Sequence, residues 1–107
     1  MKVILTENAE DNLWAIYRYH TEYSEDYAEQ FQDKFDDFVF TSLSRHPKMG
    51  TLYNPVKEVY RMVYEGRYNI YYVIRDNGLY IVYVLDGRLQ LNLKLAEPDA
   101  ELPPLNQ

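Results

Sequence analysis

Three apolar runs rich in tyrosine and valine follow one another between Val59 and Arg88, separated by two turn signals. Glu65-Gly66 breaks the first from the second, and Asn77-Gly78 breaks the second from the third. Asn-Gly between β-formers favours a type I′ turn, because both residues tolerate positive φ. The pattern predicts an antiparallel meander with strands at about residues 58–64, 67–75 and 79–86. Two-residue turns place Arg61 opposite Ile70, Val63 opposite Tyr68, Ile74 opposite Ile81, Tyr72 opposite Tyr83 and Ile70 opposite Leu85. The expected core face then holds Val59, Val63, Tyr68, Ile70, Tyr72, Ile74, Leu79, Ile81, Tyr83 and Leu85, with Arg61 its only charge. The other face carries Tyr60, Met62, Tyr64, Arg67, Asn69, Tyr71, Arg75, Tyr80, Asp86 and Arg88. In this register Arg67 opposes Arg88 and Asn69 opposes Asp86, so the two arginines need a counter-charge. Asp86 or an anionic ligand would supply it.

Before the meander the period changes. Lys2 to Thr6 reads as a short strand, and Thr6 as the N-cap of a helix with Glu7, Glu10 and Asp11 in its first turn. Ala9, Leu13, Ile16, Tyr17 and His20 recur at helical spacing as far as about Tyr23. His20 ends that stripe and reads as a packed or boundary residue rather than a catalyst. Ser24 caps a second helix whose apolar stripe is Ala28, Phe31, Phe35, Phe38 and Ser42, joined by Val39 and Leu43. Glu29, Asp33, Asp36 and Asp37 lie on its outer face as a solvated surface, since a metal site needs convergent ligands. Pro47 stops the helix and Gly50 marks a turn in the following loop. Leucine at every second place from Leu89 to Leu95 predicts a final strand. The fold class expected is α+β, in the order β-α-α-β-β-β-β, with a helical hairpin on one face of a small, mainly antiparallel sheet. Residues 1–95 form one domain, and residues 96–107 an acidic, proline-containing tail expected to be mobile or loosely draped.

Composition narrows the chemistry. The chain has no cysteine, which removes disulfides, thiolate zinc sites and thiol nucleophiles together. No metal and no cofactor are expected. The net charge of −6 argues against direct binding to DNA. Its distribution is uneven: residues 1–44 carry ten acidic against three basic residues, and residues 45–94 eight basic against four acidic. Either the halves attract each other or the asymmetry orients a charged partner. No stretch is long and apolar enough to span a bilayer, and the N-terminal apolar run is too short for a signal peptide. A cytoplasmic protein is the expectation. Tyr60, Tyr64, Tyr71 and Tyr80 beside arginines make a surface of the composition enriched in interfaces. That face, with Arg67, Arg75, Asp86 and Arg88, is where a partner is expected to dock.

Across residues 3 to about 90 the chain resembles the RelE/ParE superfamily of bacterial toxins from type II toxin–antitoxin pairs, also called plasmid stabilisation proteins. The marks are the Leu13, Ile16 and Tyr19 region, the Ala28/Phe31 start of the second helix, and Leu43, Pro47 and Gly50 in an L-x-x-x-P-x-x-G element. Tyr60-Arg61, Gly66, Tyr68-x-Ile70-x-Tyr72 and Val84-Leu85-x-Gly87-Arg88 complete the set. The resemblance implies the βααββββ fold, with the first strand beside the last. It also implies a cognate antitoxin as partner, in a possible homodimer or toxin–antitoxin hetero-oligomer. The single glycine between strands in YRMVYEGRYNIYY is closer to the ParE branch, which poisons DNA gyrase without hydrolytic chemistry of its own. RelE-like members instead cut messenger RNA on the ribosome, and for that reaction Arg61, Arg67, Arg88 and Tyr64 are the candidate catalytic residues. Asp86 stands where the family commonly has His before Gly-Arg, and no Tyr or His follows Tyr83. A protein of net charge −6 also meets electrostatic resistance at the polyanionic ribosome. The gyrase reading therefore ranks first, RNA cleavage second, and an inactive homologue that only binds antitoxin third.

Overall fold

The computed structural model describes residues 1–88, Glu97 and residues 101–105. The elements are β1 (Lys2–Leu5), α1 (Glu7–Thr21), α2 (Glu25–Asp37), β2 (Thr51–Asn54), β3 (Val59–Tyr64), β4 (Tyr68–Arg75) and β5 (Gly78–Asp86). A π-helical segment, Phe38–Leu43, continues α2. The strands form one sheet in the order β1-β5-β4-β3-β2, with β1 parallel to β5 and every other pair antiparallel. The order β-α-α-β-β-β-β and the α+β class are as the sequence predicts. One strand comes from elsewhere, however. Thr51–Asn54, within the expected loop, pairs irregularly with β3 at the sheet edge. The expected strand at Leu89–Leu95 lies outside the described residues.

Local chemistry explains both helix starts. The Thr6 hydroxyl accepts the Ala9 N–H at 3.2 Å and donates to the Ile81 carbonyl at 2.8 Å, so one side chain caps α1 and ties it to β5. The Ser24 hydroxyl accepts the Tyr27 N–H at 3.1 Å at the start of α2. The helical hairpin buries Leu13, Phe31, Phe35, Val39 and Leu43 against Tyr64, Tyr68, Ile70, Tyr72, Leu79, Ile81 and Val84. Ile70 and Ile81 are fully buried in one cluster with Phe31 and Phe35, and the partly buried Phe38 packs against it.

The turns correct the register. β3 and β4 are joined by Glu65-Gly66-Arg67, three residues rather than two, with Tyr64 opposite Tyr68, Met62 opposite Ile70 and Arg61 opposite Tyr71. Glu65 and Gly66 both take left-handed backbone, at φ 57° and 66°. A slip of one residue exchanges the two faces of a strand. Tyr60, Met62 and Tyr64 therefore meet the helices, while Val63 is on the other side and 53% exposed. The second turn is Asp76-Asn77, with Arg75 opposite Gly78 and Asp76 at φ 54°. Asp takes the left-handed position that Asn would otherwise take.

This second change moves the pairing by two, so Ile74, Tyr72, Leu79 and Ile81 keep their expected face. An irregularity between Tyr71 and Tyr72 then leaves Val82 as an extra residue in β5. Beyond it the alternation inverts. Tyr83 and Leu85 join the second face, Val84 turns toward the helices, and Asp86 lies opposite Tyr68 instead of Asn69.

The second face is itself buried. Val59, Tyr71, Val73 and Val82 are fully covered, with Tyr53, Tyr80, Tyr83, Leu102 and Leu105 packed around them. Asn54, also buried, donates from its side-chain amide to the Glu97 carbonyl and accepts the Lys57 N–H at 3.0 Å. The described tail residues thus contact this face.

Candidate functional site

β1 ends at Leu5, opposite Ile81, and among the described residues no strand pairs with β5 beyond that point on this side. The Asn12 side chain of α1 fills part of that side, accepting the Val84 N–H at 3.1 Å. Beyond it, the end of β5 and the C-terminus of α1 bring together Tyr19, His20, Arg67, Tyr68, Asp86 and Arg88. An open cavity of about 630 Å³ is bordered by Tyr19, Arg67, Asn69, Asp86, Gly87 and Arg88.

Asp86 is the centre of this group. Its Oδ1 accepts the Arg88 backbone N–H and Nε at 3.0 Å each, and its Oδ2 accepts an Arg88 terminal nitrogen at 2.8 Å and Arg67 Nε at 3.3 Å. The hydrogen bonds from the Arg88 side chain and backbone, then from Arg67, hold the Asp86 carboxyl far below the ordinary carboxylate range. Arg67 also lies 5.4 Å over the Tyr19 ring and 5.1 Å over Tyr68. Gly87 sits tight under this turn. Its N–H donates to the Arg67 carbonyl at 2.7 Å, and a Cβ there would stand 3.1 Å from that oxygen.

Behind the arginines, His20 Nε2 and the Tyr68 hydroxyl share a hydrogen bond of 3.0 Å. His20 is 5% exposed and wedged among Tyr19, Tyr27, Phe31 and Tyr68. Burial first, and the Arg67 charge second, lower its pKa, so the ring is neutral at pH 7. Burial raises the Tyr68 hydroxyl. The pair is a buried, charge-free hydrogen bond next to a solvent-facing ionic cluster.

The sequence-predicted site residues separate into four places. Arg67, Asp86 and Arg88 converge as described. Tyr71 is fully buried on the second face, its hydroxyl pushed up to about 12 by burial, and Tyr80 lies half-covered on that face. Arg75 donates to the Ile74 and Lys57 carbonyls at the opposite end of the sheet. Tyr60 stacks on Tyr72 at 5.3 Å on the helix side, and Tyr64 packs against Phe31, Phe35 and Phe38. The four tyrosines therefore do not share one face. Of the catalytic candidates, Arg61 lies 4.8 Å over the Tyr53 ring, with its Nε buried and unbonded among the described residues, away from the cluster. Tyr64 is in the core, its hydroxyl raised by burial. Tyr19, His20 and Tyr68 were not among the predicted site residues. The signal available for them was Tyr19-His20 at the polar end of the α1 stripe and Tyr68 directly following Arg67.

The helical hairpin on a five-stranded mixed sheet, with an arginine–tyrosine cluster at the start of β4 and the end of β5, is the βααββββ arrangement that the resemblance to the RelE/ParE toxins implies. The family model described as ParE toxin of type II toxin-antitoxin system, parDE, matches residues 3–91, and the chain belongs to that family. No curated protein sequence matches the chain significantly. Among the described residues no helix is long and apolar enough to cross a membrane, and no three His, Cys, Asp or Glu side chains are grouped to hold a metal ion.

Proposed function

We propose that this chain is the toxin of a bacterial type II pair that acts by binding DNA gyrase in the cytoplasm, and that a cognate antitoxin neutralises it. Family membership supplies the class, and the ParE-like spacing around Gly66 favours gyrase over the ribosome. One observation carries the choice of binding over RNA cleavage. The two arginines best placed to stabilise a phosphorane are both engaged by the Asp86 carboxylate. A transition state that gathers negative charge gains little from cations already neutralised by an adjacent anion. Arg61, another candidate, lies over Tyr53 instead, and Tyr64, whose carbonyl accepts the Arg67 N–H, has its side chain packed in the core against Phe31, Phe35 and Phe38.

RNA cleavage is the second reading because the His20–Tyr68 hydrogen bond lies next to Arg67, within the same group of side chains. Induced expression, with transcript ends mapped and gyrase-bound DNA breaks counted in the same cells, separates the two. Gyrase-dependent breaks with unchanged messages are expected, and co-expression of the neighbouring antitoxin frame should abolish them. Ribosome-dependent cuts within codons would reverse the order, and harmless expression would leave an inactive, antitoxin-binding homologue.

A further inference from the structure

We propose that Arg67, Arg88 and Tyr19 build a phosphate-binding site that Asp86 occupies from within the chain, so that the native protein keeps this site closed to phosphate groups. Three observations lead there. First, the carboxylate uses both oxygens against a guanidinium fork and a second guanidinium nitrogen, the arrangement an external oxyanion takes between two arginines. Second, the charges do not balance. Among the described residues two cations face one anion, and the other side chains bordering the cavity, Tyr19, Val63 and Asn69, are neutral. Third, the ligand space exists. The cavity of about 630 Å³ opens on this cluster, and Arg88 is largely exposed while Arg67 and Asp86 are partly covered.

Asp86 has an advantage no free ion has. It is two residues from Arg88 and accepts that residue's own N–H, so it competes at an effective concentration of roughly millimolar or more without any ordering of a second molecule. The Gly87 turn, tied to the Arg67 carbonyl, fixes that geometry. Neutralising position 86 without changing its size should remove the counter-charge of both arginines and admit a phosphate oxyanion. Free phosphate and the diester of a nucleic-acid backbone share this chemistry. The inference concerns binding alone, and stands whether or not gyrase is the target.

The test is titration of the full-length protein with inorganic phosphate, and separately with a dinucleoside monophosphate, followed by NMR of the arginine Nε–H groups. Asp86→Asn keeps the shape and can still accept the Arg88 N–H. It should bind inorganic phosphate at least about tenfold more tightly than the native chain, and Asp86→Asn with Arg88→Gln should lose that gain. A matching gain for the dinucleotide would identify the backbone diester as a ligand, and a gain for phosphate alone would identify the free ion. Asp86→Asn that folds, by its melting curve, and binds neither ligand more tightly overturns the proposal. A second arm needs no change at position 86. Arg88→Gln alone should leave the weak phosphate affinity of the native protein within about twofold, because the carboxylate already excludes the ion. A large loss would mean that Arg88 holds phosphate with Asp86 in place, which also overturns it.

Discussion

The two faces of the sheet are buried by different means. On the helix side, two amphipathic helices with capped starts place Phe31, Phe35 and Val39 over Ile70, Tyr72 and Ile81. On the other side, no helix covers Val59, Tyr71, Val73 and Val82 among the described residues, and Leu102 and Leu105 of the tail lie against that cluster. The first face is held by elements with their own hydrogen-bonded backbone. The second depends on a segment containing Pro103 and Pro104, which cannot donate backbone hydrogen bonds. A sheet can thus be buried on both sides while its two halves differ in how easily they open.

Disrupting the helix face should have the largest effect. Ile70→Asp places an unpaired carboxylate under Phe31 and Phe35, and should cost more than about 4 kcal/mol, enough to unfold a domain of ordinary stability. Urea unfolding followed by circular dichroism checks this, and a native midpoint would contradict the observed packing. Removing residues 101–107 strips two half-buried leucines from the second face. A loss of about 2 kcal/mol is expected, with new binding of an apolar dye. Unchanged stability and no dye binding would show that the tail does not hold that face.

His20 tests the boundary between the helix-side core and the ionic cluster. Its folded pKa lies below the unfolded value of 6.5, so the unfolded chain binds more protons as pH falls through that value. Stability should therefore decline from pH 7 toward pH 5 and be fully present above that range. His20→Gln should flatten that part of the profile, and an unaltered slope would assign the decline to another group. The smallest effect belongs to Val63. In a two-residue-turn register it would be buried against Tyr68, and Val63→Asp would be severe. In the observed register it is solvent-facing, and the change should stay within about 0.5 kcal/mol.

The contrast between faces also marks what was legible in the sequence. Helix caps at Thr6 and Ser24, the stripes of α1 and α2, and strand identities in the meander all follow from short-range chemistry, and they were readable. The register was not, because Glu65 and Asp76 both adopt left-handed backbone at positions where sequence chemistry points to the neighbouring Gly or Asn. A bulge at Val82 has no composition signal, yet it decides which side of the sheet Asp86 occupies. The pairing of Asp86 with both arginines was nonetheless anticipated. It needs only closeness at the strand end, which survives a slip of one residue. The convergence of Tyr19 and His20 with that group depends on where α1 ends over β5, a tertiary fact with only a weak trace in the sequence.

Binding to gyrase, rather than cutting of RNA, is the action proposed for this protein. Its most direct test is purified protein added to purified gyrase and supercoiled DNA, with translating ribosomes and a defined message assayed in parallel. The expected result is gyrase-dependent double-strand breakage of the DNA and an intact message. Intact DNA together with ribosome-dependent cleavage of the message would contradict it.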